Sequence, residues 1–182
     1  MQANELFTIR EREERDAAGI GRVRIDAWRA AYRGIVPDEV LANLDYTAEA
    51  ERHRQRFHET KGQANLFLYV AVDTAENVVG FGVGGTERDG LAGYPGELYA
   101  LYVHPDWQSR GVGRALAAAV FADLHAAGLE PLVIWALKEN TRAGAFYRRL
   151  GGEVVAEKTV VIGGKSLVEV GFGMRKIVNS NE

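Results

Sequence analysis

The sequence predicts an α/β (α+β) fold: a mixed, mostly antiparallel sheet of six or seven strands flanked by helices. Two hairpins predict the antiparallel part. Apolar runs from Leu66 to Val72 and Val78 to Gly85 are joined by the polar loop Asp73 to Asn77, and Val154 to Ile162 meets Ser166 to Lys176 across Gly163-Gly164-Lys165. Between the hairpins lie strand, helix and strand: Leu98 to Val103, an alanine-rich run to Ala127, then Pro131 to Leu137. That order implies a parallel pair with a right-handed crossover, and such continuously apolar strands are buried on both faces. With 182 residues, 47% of them hydrophobic, the chain can bury one full core. A single domain over residues 1–178 is expected, with 179–182 a loose tail.

Leu6 to Glu11 alternates apolar and polar, with Phe7 and Ile9 on one face, as a first strand. Asp16 is placed to cap a helix from Ala17 to Tyr32, where Ile20, Val23, Ala27 and Ala31 form an apolar stripe beside the i, i+4 pair Trp28 and Tyr32. Gly34 ends it. Pro37-Asp38-Glu39 opens a short second helix, and a third runs from Thr47 to Glu59 with threonine at its start. Gly80, Gly82, Gly84 and Gly85 thin one strand, a sign of a bend or of a chain or ligand close to the backbone. Pro105 stops the strand ending at Val103, Gly128 stands past the alanine-rich helix, and Asn140 to Leu150 forms a last helix closed by Gly151-Gly152.

Composition narrows the function. The absence of cysteine excludes a disulfide framework, a thiolate nucleophile and cysteine-ligated zinc. A net charge of −3 gives no reason to expect nucleic acid or an anionic membrane, and Arg52-His53-Arg54-Gln55-Arg56 reads as a solvated helix face. No apolar run approaches the roughly 18 residues of a spanning helix, and Arg10 to Asp16 is too charged for a signal peptide, so a cytoplasmic location is expected. His53, His58, His104 and His125 lack metal-ligand spacing, and no metal is expected.

The chemistry gathers after Val103. Gln108 to Gly113 holds two glycines at a helix mouth, where up to four N–H groups lack partners and the dipole favours an anion. A Walker A loop would need Gly-Lys-Ser/Thr, but Arg114 and Ala115 follow Gly113; a dinucleotide fingerprint would need a third glycine where Leu116 stands. The order Gln108-Ser109-Arg110-Gly111-Val112-Gly113 has the form Gln/Arg-x-x-Gly-x-Gly/Ala. With the strand before it, it closely resembles the acetyl-CoA-binding motif of the GNAT superfamily of N-acetyltransferases. Asn140-x-x-Ala143-x-x-x-Tyr147-x-x-x-Gly151 is similar to the other half of that signature, and its first three residues share one helix face. Taken singly, Asn140 reads equally as an N-cap and Tyr147 as a core aromatic beside Phe146. The resemblance is specific from Glu97 to Gly151 and topological before Leu66.

The resemblance implies the GNAT fold, with a splayed parallel strand pair holding acyl-CoA as co-substrate. It places the pyrophosphate on the amides from Ser109 through Arg110, Gly111, Val112 and Gly113 to Arg114, behind Gln108. It runs the pantetheine along Leu101, Tyr102 and Val103, and sets Asn140, Ala143 and Tyr147 beside the thioester. Direct acetyl transfer needs a neutral amine, although an alkyl ammonium has a pKa of about 10.4. Glu97 is the first candidate base. It lies eleven residues before Gln108, as does the catalytic glutamate of histone-acetylating members; its plainer reading is a strand-start carboxylate facing solvent. Other members carry a basic glutamate on the next strand, where this chain has Trp135, which adds weight to Glu97 or an ordered water. A backbone N–H near Leu101 to Val103 would polarise the carbonyl, and Tyr147 would serve as acid for the leaving thiolate.

In this family the first helices choose the acceptor. Trp28 and Tyr32, with Asp38 and Glu39 near, would suit a cationic amine, or simply pack on the sheet. Trp107 is expected behind the glycine loop. Three readings stay open: an N-acetyltransferase for a small amine, amino acid or antibiotic; the same catalyst acting on a protein N-terminus or lysine; and a non-catalytic acyl-CoA sensor. A homodimer through the terminal hairpin or a sheet edge is also open.

Overall fold

A computed structural model describes residues 6–175. The elements run β1 (Phe7–Glu11), α1 (Ala17–Ala31), α2 (Asp38–Ala42), α3 (Tyr46–Glu59), β2 (Leu66–Asp73), β3 (Val78–Thr86), β4 (Gly96–Val103), α4 (Val112–Ala126), β5 (Leu132–Leu137), α5 (Thr141–Arg149), β6 (Glu153–Ile162) and β7 (Lys165–Met174). The strands form one seven-stranded sheet in the order β1-β2-β3-β4-β5-β7-β6. Every neighbouring pair is antiparallel except β4 and β5. Both expected hairpins form, and the expected crossover joins the parallel pair. The expected extension of the last strand to Lys176, and the tail 179–182, lie outside the described residues.

One face of the sheet carries α4 and α5, whose Val120, Leu124 and Tyr147 pack with Leu98, Ile134 and Phe172, while Leu116 packs with Ala71 and Val79. The other carries α1 on Val70, Val72, Val78 and Phe81, while the segment after α1 sets Val36 and Leu41 on Leu137 and Leu167.

Two local expectations are corrected and a third is narrowed. Asp16 does not cap α1 with its side chain; it is buried, pairs with Arg10 at 2.7 and 2.8 Å, and accepts from the Glu13 amide of a preceding 3-10 turn. The cap of α3 is Asp45, whose carboxylate accepts from the Ala48 N–H at 2.7 Å, so the helix opens before Thr47. The glycines of β3 admit α4 rather than a ligand: a Cβ on Gly84 would stand 2.5 Å from Val120 Cγ1, and one on Gly80 3.0 Å from Leu116 Cδ1.

The opening in the sheet has a local cause. Pairing of β3 with β4 shifts register between Val83 and Gly84, where Tyr99 of β4 is left over as a bulge. A bulge bends its strand and sharpens the twist. Parallel pairing of β4 with β5 covers only Gly96↔Leu132, Glu97↔Val133 and Leu98↔Ile134, and stops there. Beyond Leu98 the two strands part.

Candidate active site

The gap between β4 and β5 opens into a cavity of about 390 Å³. Its walls are β4 from Leu98 to Val103, β5 from Ile134 to Ala136, and the glycine loop with the start of α4. One face of α5 adds Asn140, Ala143, Phe146 and Tyr147, and α1 adds Ala27, Ala31 and Tyr32. The His104 N–H donates to the Val79 carbonyl at 2.9 Å, so antiparallel alternation turns the backbone groups of Val103 and Leu101 away from β3, toward the gap. Gln108 lines the cleft and its Nε2 donates to the Val103 carbonyl at 3.2 Å, tying the loop to the strand end.

The helix mouth is open. Gly111 takes the N-cap position of α4 at φ 86°, a left-handed conformation that glycine adopts without strain, and no side chain caps that end. Ser109 is left-handed as well, at φ 62°, which costs a non-glycine residue about 1–2 kcal/mol. Its hydroxyl accepts from Arg142 Nη2 at 3.4 Å. Val112 contributes only backbone here, since its side chain is buried with Leu116 and Trp107; Trp107 therefore packs behind the loop. Arg110 leans over the Trp107 ring at 5.2 Å and does not line the cleft, whereas Arg114 does.

On α5, the Asn140 carbonyl oxygen accepts from the Ala143 N–H at 3.1 Å, so this residue is the N-cap and a wall of the cleft at once. Tyr147 is 7% exposed, and burial, with Tyr102 adding a smaller effect, raises its phenol above the ordinary value. Burial raises Tyr32 in the same way, helped by Tyr102 and Tyr147. The hydroxyls of Tyr32, Tyr102 and Tyr147 thus gather where the strands part. Trp28 stands behind them: it does not line the cleft, and its Nε1 donates to the Tyr102 hydroxyl at 3.0 Å.

Glu97 is the residue the structure does not bring to the cleft. It lies before the splay, 2% exposed, with both oxygens taken by Arg88: Nη2 at 2.5 Å, Nε at 3.1 Å and the backbone N–H at 3.2 Å. The expectation of a free carboxylate at the strand start is corrected by this ion pair. Among the described residues no Asp, Glu or His lines the cleft. None of them forms a group of three that could hold a metal, and no helix is long and apolar enough to cross a membrane.

An open helix mouth beside a splayed parallel pair places this chain among known acetyltransferases. It belongs to the acetyltransferase (GNAT) family, whose model matches residues 10–152. An uncharacterized N-acetyltransferase of Bacillus subtilis is 34% identical over 92% of both chains. An aminoglycoside N(6')-acetyltransferase of Stenotrophomonas maltophilia is 34% identical over 80% of this chain and 86% of its own. In fold, the chain is similar to the PaiA N-acetyltransferase of Thermoplasma acidophilum solved with coenzyme A: TM-score 0.70 and 17% identity, covering 90% of this chain and 97% of that one.

Several wall residues escaped the sequence reading. Phe146 stands three residues after Ala143 on α5, and Arg142 and Arg149 flank Phe146 at i−4 and i+3, a stripe that runs beside the Asn140–Tyr147 face and that the signature residues alone do not mark. Ala27 and Ala31 were legible only as an apolar stripe. Tyr99 gave no signal, because its place depends on the bulge.

Proposed function

We propose that this acetyltransferase moves an acetyl group from acetyl-CoA to the primary amine of a small acceptor by direct attack. The observation that carries the reading is the continuity of the uncapped α4 mouth with the gap between β4 and β5, in one cavity of about 390 Å³. Acetyl-CoA supplies an activated acyl thioester. The amides from Gly111 to Arg114, with the guanidinium groups of Arg114 and Arg142, suit its phosphates by hydrogen bonding and charge. The backbone groups of Leu101 and the N–H of Val103, turned away from β3, pair with the pantetheine as an added strand, and one of these N–H groups polarises the acyl carbonyl.

Tyr147 donates a hydrogen bond to the departing sulfur. A thiol ionises near 8.5 and this phenol lies above its usual value of about 10, so the tyrosine stabilises the thiolate without giving up its proton for good. The proton that finally reaches the thiol is the one the amine loses. Before attack the ammonium form must also shed a separate proton, and with no carboxylate or imidazole in the walls that one goes to water, so kcat/KM climbs with pH toward the acceptor's own pKa. Glu97 holds Arg88 and the start of β4 in place.

Two observations favour a small acceptor over a protein. Ala27, Ala31 and Tyr32 of α1 close over the acceptor side, and one relative of similar length is an aminoglycoside acetyltransferase. The test is a thiol-release assay with acetyl-CoA against small amines and lysine peptides. Release with amines alone supports the reading; release with peptides alone transfers the activity to a protein acceptor, and no release at all leaves an acyl-CoA sensor. Tyr147→Phe should cut kcat at least tenfold while the dissociation constant of CoA moves by less than about threefold. An unchanged kcat removes Tyr147 from the role.

A further inference from the structure

The face of the sheet that would receive the acceptor carries a cation already in place. On β5, Ile134 and Ala136 point into the α4 core while Leu137 packs under Val36 and Leu41, so Trp135 belongs to the α1 side. Its ring lies flat over Gly171 of β7, where a Cβ would come within 3.0 Å, and it also lines the cleft. The Lys158 ammonium of β6 sits 4.0 Å from the centre of that ring. Two carboxylates hold it there: Asp89, which hydrogen-bonds to it, and Glu169, at 3.5 Å on the paired strand. Asp89 is set in position by its own loop, since Glu87 accepts from the amides of Asp89, Gly90 and Leu91. Lys158, with a smaller effect from Arg88, holds the Asp89 carboxyl below its ordinary range.

An indole face with two carboxylates is the chemistry that binds an ammonium group. We propose that Lys158 is the resident occupant of a subsite for a second ammonium group of the acceptor, and that the preferred acceptors are diamines or larger polycationic amines. This rests on the acetyltransferase reading above. One amine enters the gap between β4 and β5 for acetylation; the distal ammonium lies over Trp135 between Asp89 and Glu169. Lys158, whose side chain is 32% exposed, swings outward to water. In the absence of acceptor the lysine keeps the two carboxylates together and the subsite shaped.

The test compares putrescine with butylamine, equal in carbon number and differing by one ammonium. Lys158→Met keeps the aliphatic stem and removes the resident charge. It should raise the ratio of kcat/KM for putrescine to that for butylamine about tenfold, and calorimetry should show putrescine binding correspondingly tighter. Asp89→Asn, on an exposed loop, should lower the same ratio and weaken putrescine binding. Ratios that stay within twofold of the parent in both variants overturn the subsite. Mass spectrometry showing Lys158 itself acetylated after incubation with acetyl-CoA also overturns it, since the lysine would then be an acceptor. If neither amine releases thiol, the acetyltransferase reading fails first; if butylamine reacts and the ratios do not move, only this inference falls.

Discussion

The two ends of the cleft are built by opposite routes. The end proposed for the phosphates comes from one unbroken segment, Gln108 to Arg114, with residues of α5; its Arg114, Arg142 and Arg149 enter no ion pair among the described residues. The other end is lined by α1, the bulged part of β4 and β5, and the charges of the neighbouring β6 and 87–95 loop are largely matched already, Arg88 with Glu97 and Lys158 with Asp89 and Glu169. Open amides and unpaired cations wait for charge brought from outside. Internal ion pairs instead fix a shape. Affinity for the co-substrate should therefore reside at the first end, and the choice of acceptor at the second.

The largest effect is expected at Gly113. A Cβ there would meet Phe146 and Val103 at 3.5 and 3.6 Å, ordinary contacts, so Gly113→Asp should fold while setting a carboxylate against the phosphates. CoA affinity should fall about a hundredfold by calorimetry, with little change in melting temperature; a loss under threefold would sever this end from phosphate binding. Gly84 is the contrasting glycine. Its absent Cβ would stand 2.5 Å from Val120 Cγ1 and 3.1 Å from the Glu97 carbonyl oxygen, so Gly84→Ala should cost about 2 kcal/mol of stability in denaturant unfolding. Were Gly84→Ala neutral, close packing of α4 would not be the reason for that glycine. At the acceptor end, Trp28→Phe removes the donor to Tyr102, a hydrogen bond worth about 1 kcal/mol, and should lower kcat several-fold with CoA binding intact. Equal losses in kcat and CoA binding would mean that Trp28 supports both ends.

How much of this could be read from the chain follows the same division. The glycine loop and the Asn140–Tyr147 face are local patterns whose spacing survives folding unchanged, and both reach the cleft. Hairpins and the crossover were legible because turn chemistry and apolar runs are local too. The acceptor end was not. Trp28 and Tyr32 sit four apart on one helix, yet only Tyr32 lines the cleft, and Trp28 is turned behind it to reach Tyr102. Glu97 carried the right spacing from Gln108, but its partner Arg88 comes from the preceding loop, and no pattern in β4 announces that pair. The β3 glycines were seen as a close approach; which body approached was settled by where α4 docks.

The smallest effect separates the ends by pH. Behind the acceptor end, α3 packs on α1 through His53, which is 7% exposed, 6.0 Å from the Phe81 ring, and 3.3 Å by its Nε2 from Glu49. Glu49 also holds Arg24 at 3.0 Å, and Arg24 lies over Trp28 at 4.8 Å. Burial pushes the imidazole down to about 4, against the opposing pull of Glu49. The unfolded chain takes up this proton near pH 6.5 and the folded chain only near 4, so between those values the unfolded state binds more protons and acid favours it. Stability should fall by about 1 kcal/mol from pH 7 to 5.5 on this account and level off near pH 4. His53→Leu should flatten that slope in denaturant unfolding. In the parent protein, amide exchange in α1 and α3 should accelerate over the same window ahead of α4, because the glycine-loop end has no buried imidazole beneath it. A slope that survives His53→Leu unchanged would place the acid sensitivity elsewhere and remove this distinction between the two ends.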